Sequence, residues 1–155
     1  MRHTKRHGFS AIELVIVVTI IGVIATVALP RGRDTHARSQ VRSAKQELAV
    51  TLVRARATAI QNGRAARFVR QGNFVSVVLE SGGQLVPIGP ANDLGSEYGV
   101  TVATGPEAIR FDPRGFAFGI GAETGYQSIR ITRGALADSV CVTRFGRVIT
   151  RRACS

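Results

Sequence analysis

Residues 8–30 read GFSAIELVIVVTIIGVIATVALP, and within the apolar run from Phe9 to Leu29 a single residue, Glu13, is charged. At roughly 1.5 Å per residue a helix of this length reaches across a typical hydrocarbon core. A carboxylate inside that core costs several kcal/mol unless it is neutralised or paired. No basic residue lies within the run, so Glu13 is either protonated and unpaired near the membrane face or meets a cation from elsewhere. Cleavage after Gly8 supplies one: it turns Phe9 into a free amine four residues before Glu13, and such an amine on a neighbouring chain can face this carboxylate.

Working outward, residues 1–8 read MRHTKRHG and form a basic leader that the positive-inside rule keeps on the cytoplasmic side. Residues 9–29 are then expected to be a transmembrane or filament-core helix, with everything after Pro30 outside. An ordinary secretory signal has a shorter apolar core followed by a small-x-small cleavage site. The stretch Ala25-Thr26-Val27-Ala28 is a mediocre version of that site. A plain single-pass anchor leaves Glu13 unexplained.

Beyond the run, Pro30 is expected to kink the helix, which then resumes. Val41, Ala44, Leu48, Leu52, Ala55 and Ala59 recur every three or four residues and define one apolar face. Asn62-Gly63 is a helix stop. The spacing therefore predicts one helix from Phe9 to about Gln61, its second half (30–62) amphipathic. From 63 to 155 the pattern changes to period two with glycine punctuation. Strands are expected at 64–70, 74–79, 84–88, 98–103, 108–111, 127–132, 139–144 and 147–150, with a loop at 89–99 and a tight turn at Asp112-Pro113-Arg114-Gly115. One long helix followed by short strands is an α+β organisation, an antiparallel sheet head packed on the helix.

At its N-terminus, Gly8-Phe9-Ser10-Ala11-Ile12-Glu13-Leu14 resembles the prepilin cleavage and methylation motif of type IV pilins and type II secretion pseudopilins. The resemblance implies that a prepilin peptidase cuts between Gly8 and Phe9, that Phe9 is N-methylated, that Glu13 is needed for assembly, and that Pro30 marks the family's helix kink. It implies as partners other pilin or pseudopilin subunits and an inner-membrane assembly platform. In the head, residues 54–60, Ile109-Arg110-Phe111-Asp112-Pro113-Arg114-Gly115, and residues 140–148 with Gly146-Arg147 look like the GspH/FimT group of minor pilins and pseudopilins. That implies a minor subunit of a type II secretion pseudopilus or type IV pilus, in a tip or initiation complex.

The formal charge is +11, and without Arg2, Lys5 and Arg6 it is 18 basic against 10 acidic residues, or +8. Such a surface attracts phosphates, acidic headgroups or acidic proteins, or is simply a solvated arginine-rich face. Arg144, Arg147, Arg151 and Arg152 cluster after the last acidic residue, Asp138. FimT-like members include DNA-binding minor pilins that act in DNA uptake for natural transformation and carry a C-terminal Gly-Arg-x-Arg element. Here Gly146-Arg147 is followed by its second arginine only at Arg151. Phe145 is the one aromatic near this cluster in sequence. Cys141 and Cys154 are either one disulfide, as an even count in an exported domain suggests, or two free thiols.

No catalytic constellation, metal set or cofactor loop is legible. His3 and His7 lie in the leader and leave His36 as the only histidine after it. Metal sites need several convergent ligands, and no Walker or Gly-x-Gly-x-x-Gly pattern opens a helix. The chain is expected to be a substrate of the processing peptidase and not an enzyme.

Overall fold

A computed structural model describes residues 10–119 and 126–150, with the side chains of 27–34 set aside. Gly8, Phe9, Arg151, Arg152 and Cys154 lie outside the described residues. So do residues 1–7 of the leader and the side chain of Pro30, where the kink was expected. The chain divides into two compact units, 1–36 and 37–155.

Helix α1 (Ala11–Asn62) runs through both units, and its assignment is continuous across Pro30. In the first unit its described surface is apolar on every side. Ile12, Leu14, Val15, Ile16, Val17, Val18, Ile20, Ile21, Val23 and Ile24 are all exposed. A helix apolar all round belongs in an apolar surrounding. Among the described residues, no helix is long and apolar enough to cross a membrane.

In the second unit α1 is amphipathic. Val41, Ala44, Leu48, Leu52, Ala55 and Ala59 are all buried, joined by Ala49 and by the hydroxyls Thr51 and Thr58. The face is built mainly of leucines and alanines, and Ala44, Leu48, Leu52, Ala55 and Ala59 are fully buried. The helix ends at Gly63, whose φ of 59° a side chain would resist. Arg64 N–H then donates to the Ala59 carbonyl at 3.3 Å, closing the last turn.

Ten strands follow. Strands β1 (Ala66–Gln71), β2 (Phe74–Ser81) and β3 (Gln84–Pro87) form a meander. Strands β6 (Ala108–Phe111) and β7 (Ala117–Gly119) extend the same sheet beyond β1, giving the order β3-β2-β1-β6-β7, while β4 (Asn92–Asp93) also pairs with β2. A second sheet has the order β10-β9-β8-β5, from β5 (Thr101–Thr104), β8 (Tyr126–Arg133), β9 (Leu136–Thr143) and β10 (Val148–Ile149). Every pairing among the described strands is antiparallel. The inward positions alternate as the strand period requires. Phe68, Val75, Val77, Ile109 and Phe111 come from the first sheet. Val102, Ile129, Ile131, Val140 and Val142 come from the second, and all join the helix face in one core.

The expected loop at 89–99 contains structure. Asp93 accepts hydrogen bonds from the Gly95 and Ser96 amides and caps a short helix α2 (Leu94–Tyr98) that drives Leu94 into the core. Tyr98, expected in a strand, ends this helix, and Arg133 donates to its carbonyl. Strand β7 was also unforeseen, because three residues show no period.

Polar contacts tie α1 to the sheets. Lys45 Nζ reaches both carboxylate oxygens of Asp138 on β9 at 2.8 Å. Asn92 donates to Glu47 at 2.7 Å. On the outer face of the first sheet, Glu80 sits between Arg110 and Arg67. The Arg110 hydrogen bond, aided by Arg67, holds the Glu80 carboxyl at about 2, below its ordinary 4.5. A depressed carboxylate contributes stability above its unfolded pKa and loses it as pH falls towards the folded value. This contribution is therefore intact at neutral pH and disappears only below about pH 4.5.

The helix face carries the head. Leu52 is fully buried, so Leu52→Ala should cost about 2–5 kcal/mol. Urea unfolding followed by circular dichroism should show this, whereas the exposed Val53→Ala should move the midpoint little.

Candidate functional site: an apolar helix and a loop junction

Two regions carry the residues singled out from the sequence. The first is the start of α1. Glu13 lies in its first turn, where the unsatisfied amides and the helix dipole favour negative charge. The Glu13 and Leu14 amides both donate to the Ser10 carbonyl, at 3.0 and 3.2 Å. The two threonine hydroxyls of the apolar stretch are satisfied within the helix: Thr19 donates to Val15 O and Thr26 to Val23 O, each at 2.7 Å. Neither needs water, which suits a segment surrounded by hydrocarbon or other helices. Glu13 is the one charged group among the described residues of this stretch.

The second region is a junction of three sequence-distant segments. Arg56 on α1 donates from Nε to the Gly115 carbonyl at 3.2 Å. Gly115 ends the Asp112 turn, where Asp112 accepts from the Arg114 and Phe116 amides at 2.9 and 2.8 Å. Gly146, between β9 and β10, abuts both: a Cβ there would stand 2.0 Å from the Gly115 carbonyl oxygen and 2.9 Å from Arg56 Nε. Ala117 N–H donates to the Arg144 carbonyl at 2.9 Å and joins the two loops. Arg56, Gly115 and Gly146 each belong to one of the three head motifs noted in the sequence. Their convergence assigns these three residues a packing role.

Around this junction Arg114, Arg144 and Arg147 are exposed. Phe116 and Phe145 pair with ring centroids 6.0 Å apart and planes tilted by 55°, and Phe145 remains 71% exposed. Sequence reading placed Arg144 and Arg147 together but missed Phe116 and Arg114, which the fold brings from another loop. The signal was the Asp112-to-Gly115 turn, whose partner loop nothing local identifies. Cys141 is buried and not free. Among the described residues, no group of His, Cys, Asp and Glu side chains suits a metal ion.

No family model matches the chain. It is similar to a fimbrial protein of Pseudomonas aeruginosa, 46% identical over 57 residues, which are 37% of this chain and 36% of that protein. It is also similar to the type IV major pilin protein PilE1 of Neisseria gonorrhoeae, 50% identical over 42 residues, 27% of this chain and 26% of that one. The chain thus matches about a third or less of the length of these curated relatives. The crystal structure of the type IV minor pilin FimU of Pseudomonas aeruginosa shares the fold, with a TM-score of 0.58 at 19% identity over 74% of this chain and 90% of that one.

The junction yields a specific expectation. Gly146 has a φ of 71° as well as no room for a side chain, so Gly146→Ala should cost at least about 1–3 kcal/mol. Calorimetry of the variant should show a melting temperature lowered by several degrees, and Gly134→Ala, with open space around it, should cost less.

Proposed function

We propose that this chain, type IV pilin-like in part of its sequence and in its fold, is a minor subunit of a type IV pilus or type II secretion pseudopilus, built into the filament through α1. The observation that carries the reading is Glu13, a lone carboxylate in the first turn of a helix whose described surface is otherwise apolar and exposed. A prepilin peptidase cuts after Gly8 and methylates Phe9. The chain waits in the inner membrane with its head outside, and an assembly platform moves it into the filament. There the Phe9 amine of a neighbouring subunit neutralises Glu13, at a helix end that already favours the carboxylate. Its role is structural and not catalytic, in a tip or initiation complex where the head meets other subunits. Glu13→Val should remove the carboxylate while leaving the head folded. In cells that make the filament, the variant should stay in the membrane fraction and be lost from sheared filaments. Incorporation equal to the parent chain would refute the role given to Glu13.

A second reading is favoured by the junction of arginines and aromatics. Arg114, Arg144 and Arg147 are exposed on the same two loops that carry the paired Phe116 and Phe145. Basic side chains beside exposed rings suit single-stranded nucleic acid, phosphates meeting the guanidinium groups and bases stacking on the rings. The alternative function is then a DNA-binding minor pilin acting in DNA uptake, with Arg151 and Arg152 adding charge. A salt titration of oligonucleotide binding decides. The reading expects affinity that falls steeply with salt, drops roughly tenfold in Phe145→Ala, and weakens further in Arg144→Gln with Arg147→Gln. Binding indifferent to all three substitutions would reject it.

A further inference from the structure

Beside β10 the second half of α1 leaves a groove of about 540 Å³, lined by Arg42, Lys45, Gln46, Ala49, Val50, Val53, Val148 and Thr150. Its size falls in the range of roughly 300–1,000 Å³ typical of binding clefts. Its floor is aliphatic. Val50 and Val53 are 53% and 52% exposed, on the side of α1 away from the buried stripe of Leu48, Leu52 and Ala55, so the head's own core does not cover them.

The rim is cationic. Lys45 is already neutralised by Asp138 at 2.8 Å. Arg42 on the rim, and Arg38 in the adjoining hollow beside Leu136 and Asp138, are exposed. Neither forms an ion pair among the described residues. The groove therefore offers uncovered aliphatic surface next to unspent positive charge. Strand β10 supplies the groove's other wall and is the terminal strand of the second sheet among the described residues. A sheet edge accepts an added strand through its main-chain groups, while side-chain hollows beside it select alternate residues.

We infer that this groove is a docking site for an extended segment of a different protein chain, one that alternates aliphatic and acidic residues and adds as a strand to β10. Its aliphatic side chains cover Val50, Val53 and Val148, and its carboxylates meet Arg42 and Arg38. Charge selects this occupant over the alternatives. A second copy of this chain without its leader brings a formal charge of +8 to a basic rim. The subunit reading above bears only on where such a segment comes from, and binding of a peptide does not depend on filament incorporation.

The test uses the full chain in detergent micelles and three fluorescent octapeptides: alternating Glu–Val, alternating Lys–Val and alternating Glu–Ser. Anisotropy should show the Glu–Val peptide binding at least roughly tenfold tighter than either other. Arg42→Glu and Val53→Asp, both at exposed positions, should each abolish that preference, while Leu85→Ser, exposed on β3 at the edge of the first sheet, leaves it unchanged. Amide hydrogen exchange should slow at Val148 and Ile149 on binding. Equal affinity for the Glu–Val and Glu–Ser peptides would overturn the inference, as would binding indifferent to Arg42→Glu and Val53→Asp. Unchanged exchange at β10 would overturn the strand addition.

Discussion

The structure depends on how one carboxylate is accommodated. The first stretch of α1 is apolar on all sides and its threonine hydroxyls are satisfied by the helix's own carbonyls. Only Glu13 resists burial. The helix dipole lowers the cost of its charge by a fraction of the several kcal/mol that hydrocarbon imposes. The larger share is left for an opposite charge or for protonation to offset.

The second stretch of the same helix solves a different problem. Its buried stripe of leucines and alanines joins both sheets into one core, and polar contacts from Lys45, Glu47 and Arg56 fix the sheets against it. Arg56 anchors the Asp112 turn, and the turn in turn receives the Gly146 loop. The exposed arginines and phenylalanines at that end are thus presented by a packed junction and not by free loops. A surface held by a packed junction has little ordering entropy left to lose on any contact.

Much of this was legible in the sequence because it is periodic or local. The stripe from Val41 to Ala59, the stop at Gly63, the Asp112-to-Gly115 turn and the α+β order all follow from spacing or from a single turn residue. The helix α2 was not legible, because its five residues are too few to show a period and its glycine reads as loop. Strand β7 failed for the same reason. The junction failed for another: Arg56, Gly115 and Gly146 each stood out in its own segment, but no local signal says that they touch. Phe116 joins Phe145 only through that contact, so the aromatic content of the basic patch was underestimated. The groove beside β10 was equally hidden, since Val50 and Val53 look like ordinary helix residues until the sheets are seen to occupy the opposite face.

The account turns on where the mature chain begins. Intact mass and N-terminal sequencing of the protein extracted from membranes of cells that make the filament measure this directly. The account predicts a chain lacking residues 1–8, with a methylated Phe9 at its start and Glu13 retained. A chain that keeps its leader, or one cut beyond Leu29 so that the apolar helix is lost, would contradict it.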